Sequence, residues 1–187
     1  MKMNIGGAVL GSVLLISSVT IAQTREGGSQ ESLRGLRSVF VSVHQNGPAE
    51  GGRGLTDSQI WSEIVLRLQI AGLNILTENE WAKTRGRPYL YLNLTDTSLA
   101  GQGRNSVGYV CTCSLDLMQE AGLARDPKTI VDACTWSRGA TVVDPTADLL
   151  HLRMLIDNLA SQFGSAVLAA NKKVAQRTAL PYPLEMH

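Results

Sequence analysis

The side chains best suited to chemistry are few and widely spaced. Cys111 and Cys113 stand at alternate positions, Cys134 follows in the next segment, and the histidines are His44, His151 and His187. Cysteines at alternate positions of a strand project to the same face, with Cα atoms about 6.5–7 Å apart, at the edge of disulfide reach. A bridge from Cys111 or Cys113 to Cys134 on a neighbouring strand fits better; the alternative is three small buried hydrophobes. In an oxidising compartment the odd count leaves a thiol over. No metal site is expected, because C-x-C brings no second ligand pair and the histidines are scattered.

A hydrolase would need a nucleophile, a base and an oxyanion hole. Ser106, in Gly103-Arg104-Asn105-Ser106-Val107-Gly108, misses G-x-S-x-G because Arg104 stands two before it. Tyr109 and Leu115 give Cys111 and Cys113 an apolar setting, which raises a thiol pKa where nucleophilic work needs it lowered. Asp116 and Asp132 would face each other across a hairpin, yet a solvated strand face explains both. The glycine-rich stretch Gln45 to Gly54 lacks G-x-x-x-x-G-K-[ST]. No catalytic set and no cofactor are therefore expected. Were a small-molecule or hydrolase site built, it would lie near His44 and the Cys111/Cys113 strand. The better ligand or partner surface is aromatic: Trp81 with Tyr89 and Tyr91, whose rings lie opposite the inward leucines of the same segment.

The chain's N-terminus points to the place of work. Lys2 precedes an uncharged apolar run from Ile5 to Ile21, and Thr20-Ile21-Ala22 offers small residues at a cleavage site. Residues 1–22 are expected to be a signal peptide, leaving no stable membrane span, and the product to be periplasmic or secreted; the alternative is that the run stays attached as a transmembrane anchor. No cysteine follows the run, so the usual lipid attachment is missing. Across the chain 17 Lys+Arg balance 16 Asp+Glu, and without a basic stripe nucleic acid is not an expected partner. An envelope protein is.

The positioning elements follow from periodicity. Residues 23–34 read as a flexible leader. Ser38 to His44 alternates as a strand. Thr56-Asp57-Ser58-Gln59 is a capping box before an apolar stripe of Ile60, Ile64, Leu68 and Ala71, with Trp61 alongside in the core, stopped at Gly72. Leu73 to Leu76 is a short strand, reached by a parallel crossover. A second capping box, Thr77 to Glu80, opens one helical turn through Trp81. Tyr89 to Leu94, Ser106 to Leu117 and Thr129 to Ser137 read as strands, with Met118 to Lys128 connecting the last two and Arg138-Gly139-Ala140 closing the sheet. Asp144-Pro145 caps the longest helix, Thr146 to Ala170, whose stripe is Leu149, Leu152, Ile156, Leu159, Phe163, Ala166 and Ala170. Asn171-Lys172-Lys173 ends it.

These elements predict an α+β fold of order β-α-β-β-β-β-α, a mainly antiparallel sheet of four to five strands with two helices packed on one face. One domain spans 35–173, and 174–187 is a disordered tail. Several phrases are familiar: Ser32-Leu33-Arg34-Gly35-Leu36, Gly54-Leu55-Thr56, Ala71-Gly72, Glu80-Trp81, Pro88-Tyr89-Leu90-Tyr91-Leu92-Asn93 and Thr135-Trp136-Ser137. Together they resemble a group of small secreted bacterial proteins of unknown function, from about Ser32 to Lys172. That resemblance implies no activity. The element order is also similar to the amino-terminal domain of TolB and to outer-membrane assembly lipoproteins, an analogy of architecture that leaves function open. The expected function is an exported binding or adaptor domain of the bacterial envelope without catalytic activity.

Overall fold

A computed structural model describes residues 21–28, 30–46, 55–100, 106–144 and 149–178. Its strands are β1 (Ile21–Gly28), β2 (Ser38–Asn46), β3 (Asn74–Ile75), β4 (Tyr89–Ala100), β5 (Ser106–Leu123) and β6 (Asp126–Asp144). Its helices are α1 (Asp57–Ile70), α2 (Glu78–Lys83) and α3 (Leu149–Thr178), with a 3-10 turn at Gln30–Leu33. The sheet order is β1-β6-β5-β4-β2-β3. The β1–β6, β6–β5 and β5–β4 pairs are antiparallel, while β4–β2 and β2–β3 are parallel. The class is α+β, as alternation and helical stripes implied.

Four local expectations are corrected. Residues 23–34, read as a flexible leader, carry most of β1 and the 3-10 turn, which adds a sixth strand and changes the element order. The supposed connector 118–128 is strand: β5 continues to Leu123, the chain turns at Ala124 and Arg125, and β6 starts at Asp126. Asp126 organises that turn, accepting from the Lys128 N–H (3.3 Å) and the Thr129 hydroxyl (2.6 Å). Gly139 does not close β6. A Cβ there would lie 3.1 Å from the Cys113 carbonyl, so the glycine marks a close approach of two strands and the ladder runs on to Asp144. Nor does the 171–173 segment stop α3, which continues to Thr178. The first residues of the expected tail are thus helical. Residues 179–187, residues 1–20 of the expected signal segment 1–22, residues 47–54 of the glycine-rich stretch and the Pro145 cap lie outside the described residues, while Ile21 and Ala22 open β1 and Gln45 and Asn46 end β2.

Alternation fills the core from one side of the sheet. Val39 and Val41 of β2, Leu90, Leu92 and Leu94 of β4, Cys111, Cys113, Leu115 and Leu117 of β5, and Trp136 of β6 are buried against Ile60, Ile64 and Leu68 of α1 and Leu152, Ile156, Leu159 and Phe163 of α3. The Trp136 and Phe163 rings meet edge to face at 4.9 Å. Trp61, expected in this core, stands at its rim with 40% of its surface exposed. Asn171 locks the ends of the fold together: its Oδ1 accepts from the Gly35 N–H (2.9 Å) and its Nδ2 donates to Leu36 O (3.4 Å) and Val167 O (2.9 Å). Gly35 takes φ +74° at this bend, a left-handed conformation that favours glycine.

The helices cross where side chains vanish. A Cβ on Gly164 would sit 2.7 Å from the Ala71 Cβ, nearer than real carbon atoms approach. On the solvent side Arg67 pairs with Asp157 and Arg153 with Glu63 (3.4 Å); all four side chains are substantially exposed, so these pairs add little. Placing Ala at an interior helical Gly normally stabilises by about 1 kcal/mol. Here Gly164→Ala is expected to destabilise by about 1–3 kcal/mol through overpacking, and in an Ala71→Gly background the same change is expected to stabilise. Urea unfolding of the four variants reads that reversal of sign.

Candidate functional site on the open face of the sheet

The alternation that sends leucines into the core sends the intervening residues to the other face. In register across the strands, Phe40 stands beside Tyr89, Ser42 beside Tyr91, and His44 beside Asn93. On the next strand Met118, Asp116 and Ser114 lie opposite the same three β4 residues. Ser137, Gly139 and Thr141 extend the face onto β6. Among the described residues, both long helices pack against the opposite side. The open face is polar and sparsely charged, and its side chains bond to one another. Asn46 Nδ2 donates to Asn93 Oδ1 at 2.8 Å, and the Thr112 and Thr141 hydroxyls meet at 3.0 Å. Asp116 accepts from the Ser114 hydroxyl at 3.0 Å and from the Ser137 hydroxyl. Asp116 does not face Asp132 as expected: it is registered with Ser137, and Asp132 with Glu120.

One end of the face is aromatic because α2 stands there. Its capping box holds: the Thr77 N–H donates to Glu80 Oε2 (2.8 Å) and the Glu80 N–H to the Thr77 hydroxyl (3.4 Å). The Thr77 backbone bond, then its side-chain bond, hold the Glu80 carboxyl below its usual range. The cap is therefore in place once Glu80 is ionised and weakens as pH falls through that lowered value. The single helical turn presents Trp81 to Phe40 at 5.7 Å and to Tyr89, edge on, at 5.9 Å. Tyr91 stacks with His44 at 6.3 Å and 22°. Trp81, Tyr89 and Tyr91, the residues singled out in the sequence, do share one surface.

Phe40 and Arg87 belong to this site and escaped the sequence reading. Phe40 was legible, since inward Val39 and Val41 oblige it to point outward. Arg87 was not, because its role depends on backbone geometry. It holds φ +35° between Gly86 and Pro88, an uncommon state for a residue with a Cβ. Three contacts hold it there: its carbonyl accepts from the Trp81 indole N–H (2.8 Å), its guanidinium lies 5.6 Å from the Trp81 ring centroid, and it pairs with Glu120 at 2.6 Å. The Glu120 N–H also donates to Gly86 O at 2.9 Å, so the loop before β4 is tied to β5 on both sides.

The thiols are elsewhere. Cys111 and Cys113 are buried on the helix side, while His44 is exposed on the open face, so the imagined His44/cysteine site is not assembled. Burial, reinforced by the neighbouring Cys111 and Asp116, drives the Cys113 thiol pKa far up, opposite to what a nucleophile needs. No disulfide joins Cys134 to Cys111 or Cys113 in this structure. Cys113 is registered with Ala140, whereas Cys134 is registered with Met118. That offset separates the sulfurs by about 16 Å along the ladder. His151 is half-buried on α3; His187 and the Ser106 side chain lie outside the described positions.

No protein-family model and no curated protein matches the chain. Solved structures of similar architecture include the PelC dodecamer from Paraburkholderia phytofirmans, at 18% identity over 74% of this chain and 94% of that one, with a TM-score of 0.42. A minor lipoprotein from Acinetobacter baumannii matches at 13% identity over 72% and 94%, with a TM-score of 0.35. The rare lipoprotein B from Shewanella oneidensis matches at 13% over 75% and 99%, with a TM-score of 0.29. Bacterial lipoproteins are thus among the structural neighbours. Likenesses this distant carry nothing about activity, and the functional reading rests on the sheet.

With one exposed and two buried cysteines, native protein treated with an aromatic disulfide reagent is expected to release one equivalent of thiolate quickly, from Cys134. All three should react in denaturant, and Cys134→Ser should abolish the fast phase.

Proposed function

We propose that this chain is an exported binding or adaptor domain of the bacterial envelope, without catalytic activity, that docks another envelope protein through the open face of its sheet. One observation carries the reading: Phe40, Trp81, Tyr89 and Tyr91 are gathered beside His44 on a sheet face that neither long helix covers. Aromatic side chains contribute large contact areas for few rotatable bonds, and interface energy concentrates on such anchors. Here Trp81 already packs against Phe40, Tyr89 and Arg87, and Tyr91 against His44, which lowers the ordering cost of binding. The surrounding hydroxyls and amides form a polar rim of the kind that excludes water around a central anchor. Export is supported by the uncharged run from Ile5 to Ile21 and the small residues that follow it. Among the described residues no helix is long and apolar enough to cross a membrane.

A photo-crosslinking amino acid placed in cells at Tyr91 or Ser42 is expected to trap a discrete envelope protein. The same probe at Gln69, exposed on α1, should not. Trp81→Ala combined with Tyr89→Ala should lower the Tyr91 crosslink at least tenfold while leaving the far-ultraviolet spectrum unchanged. A face that captures nothing, or a product equally strong from Gln69, counts against the reading.

A further inference from the structure

The β5–β6 ribbon outruns its neighbours. β4 leaves β5 at the Tyr89–Met118 pair, apart from the bond to Glu120, and β1 leaves β6 at Gly28–Trp136. The Ser32 hydroxyl takes the Thr135 carbonyl at 2.9 Å. From there to the tip, the two strands pair only with each other among the described residues. The projecting part is apolar for something so exposed: Ile130 shows 56% of its surface and Val131 36%, with Ala121, Leu123 and Ala133 beside them. Gly122, registered with Ile130, offers it little cover. Two-stranded ribbons are marginal on their own in water, and an open edge invites another strand.

The edge sequence names its own partner. It reads Asp126-Pro127-Lys128-Thr129-Ile130-Val131-Asp132-Ala133-Cys134. When two copies pair antiparallel about a two-fold axis in one continuous sheet, a residue can face only residues of its own parity, because alternate side chains point to opposite faces. The register centred on Ile130 sets Ile130 against the partner's Ile130 and Lys128 against the partner's Asp132, the latter twice. Centring on Val131 would put Ile130 against the partner's Asp132. Centring on Thr129 would put Asp126 against the partner's Asp132, a repulsive pair. A protective edge carries charges of one sign, which repel a copy; this edge carries opposite signs at symmetric distances from an exposed isoleucine. We infer that the β6 edge from Lys128 to Asp132 is the two-fold interface of a homodimer, in which two sheets join into one through antiparallel pairing about Ile130.

Sedimentation equilibrium of the full chain in mild detergent tests this. A reversible monomer–dimer equilibrium is expected. Lys128→Glu and Asp132→Lys should each weaken it about tenfold, since either substitution places like charges at both symmetric contacts, and the double swap should restore it. In a Cys134→Ser background, Ile130→Cys should give a disulfide dimer on mild oxidation, because directly opposed Cα atoms lie about 4.5–5.5 Å apart. Lys128→Cys should not, its copies being about 13 Å apart. A monomer at every concentration, a dimer indifferent to the single charge changes, or a double swap that fails to recover association would overturn the interface. All these positions are exposed, and circular dichroism confirms that each variant folds.

Discussion

The leucines of β4 and β5 settle the orientation of nearly everything else. Leu90, Leu92 and Leu94 are fully or almost fully buried, as are Leu115 and Leu117 registered with the β4 row. Because the side-chain period of a strand is two, turning these toward α1 and α3 obliges every intervening residue to face away. A slip of one residue would expose all five leucines, a cost of roughly 1.5–3 kcal/mol for each. The aromatic cluster is therefore held in place by the core behind it. Tyr89 and Tyr91 lie on the open face because Leu90 and Leu92 cannot.

This constraint also explains which parts of the fold could be read from the residues alone. Capping boxes at Thr56 and Thr77 are local chemistry, and both appear where the spacing placed them. The α3 stripe is local periodicity, and Leu152, Ile156, Leu159 and Phe163 are buried accordingly. Strand ends were misjudged wherever a glycine has a reason outside its own segment. Gly139 is required by the Cys113 carbonyl on the neighbouring strand, and Gly122 sits mid-ladder opposite Ile130; neither neighbour is visible in the sequence around the glycine. Strand β1 was missed for the same reason, since its polar, glycine-containing residues gain their order from β6 and not from any pattern of their own.

The candidate site divides along the same line. Outward aromatic residues on strands follow from parity, so Tyr89 and Tyr91 were legible and Phe40 was available to the same logic, while Trp81 followed from the capping box that opens α2. Arg87 depends on an unusual backbone angle supported by the indole, the ring face and Glu120 together. Strain of this kind persists only where surroundings over-determine it, and no count of residue types conveys that. The cysteines show the converse error. Their shared chemistry suggested a bridge, and only the ladder register reveals how far apart Cys134 and Cys113 are.

The Asn171 side chain reaches across 136 positions of sequence to the Gly35 amide. This clasp joins the final helix to the bend before β2, and α3 also supplies one wall of the core. A nascent chain cannot complete its interior until α3 has been synthesised. Until α3 arrives, the leucine face of the sheet has only α1 to cover it, so the sheet and its last helix must become ordered together.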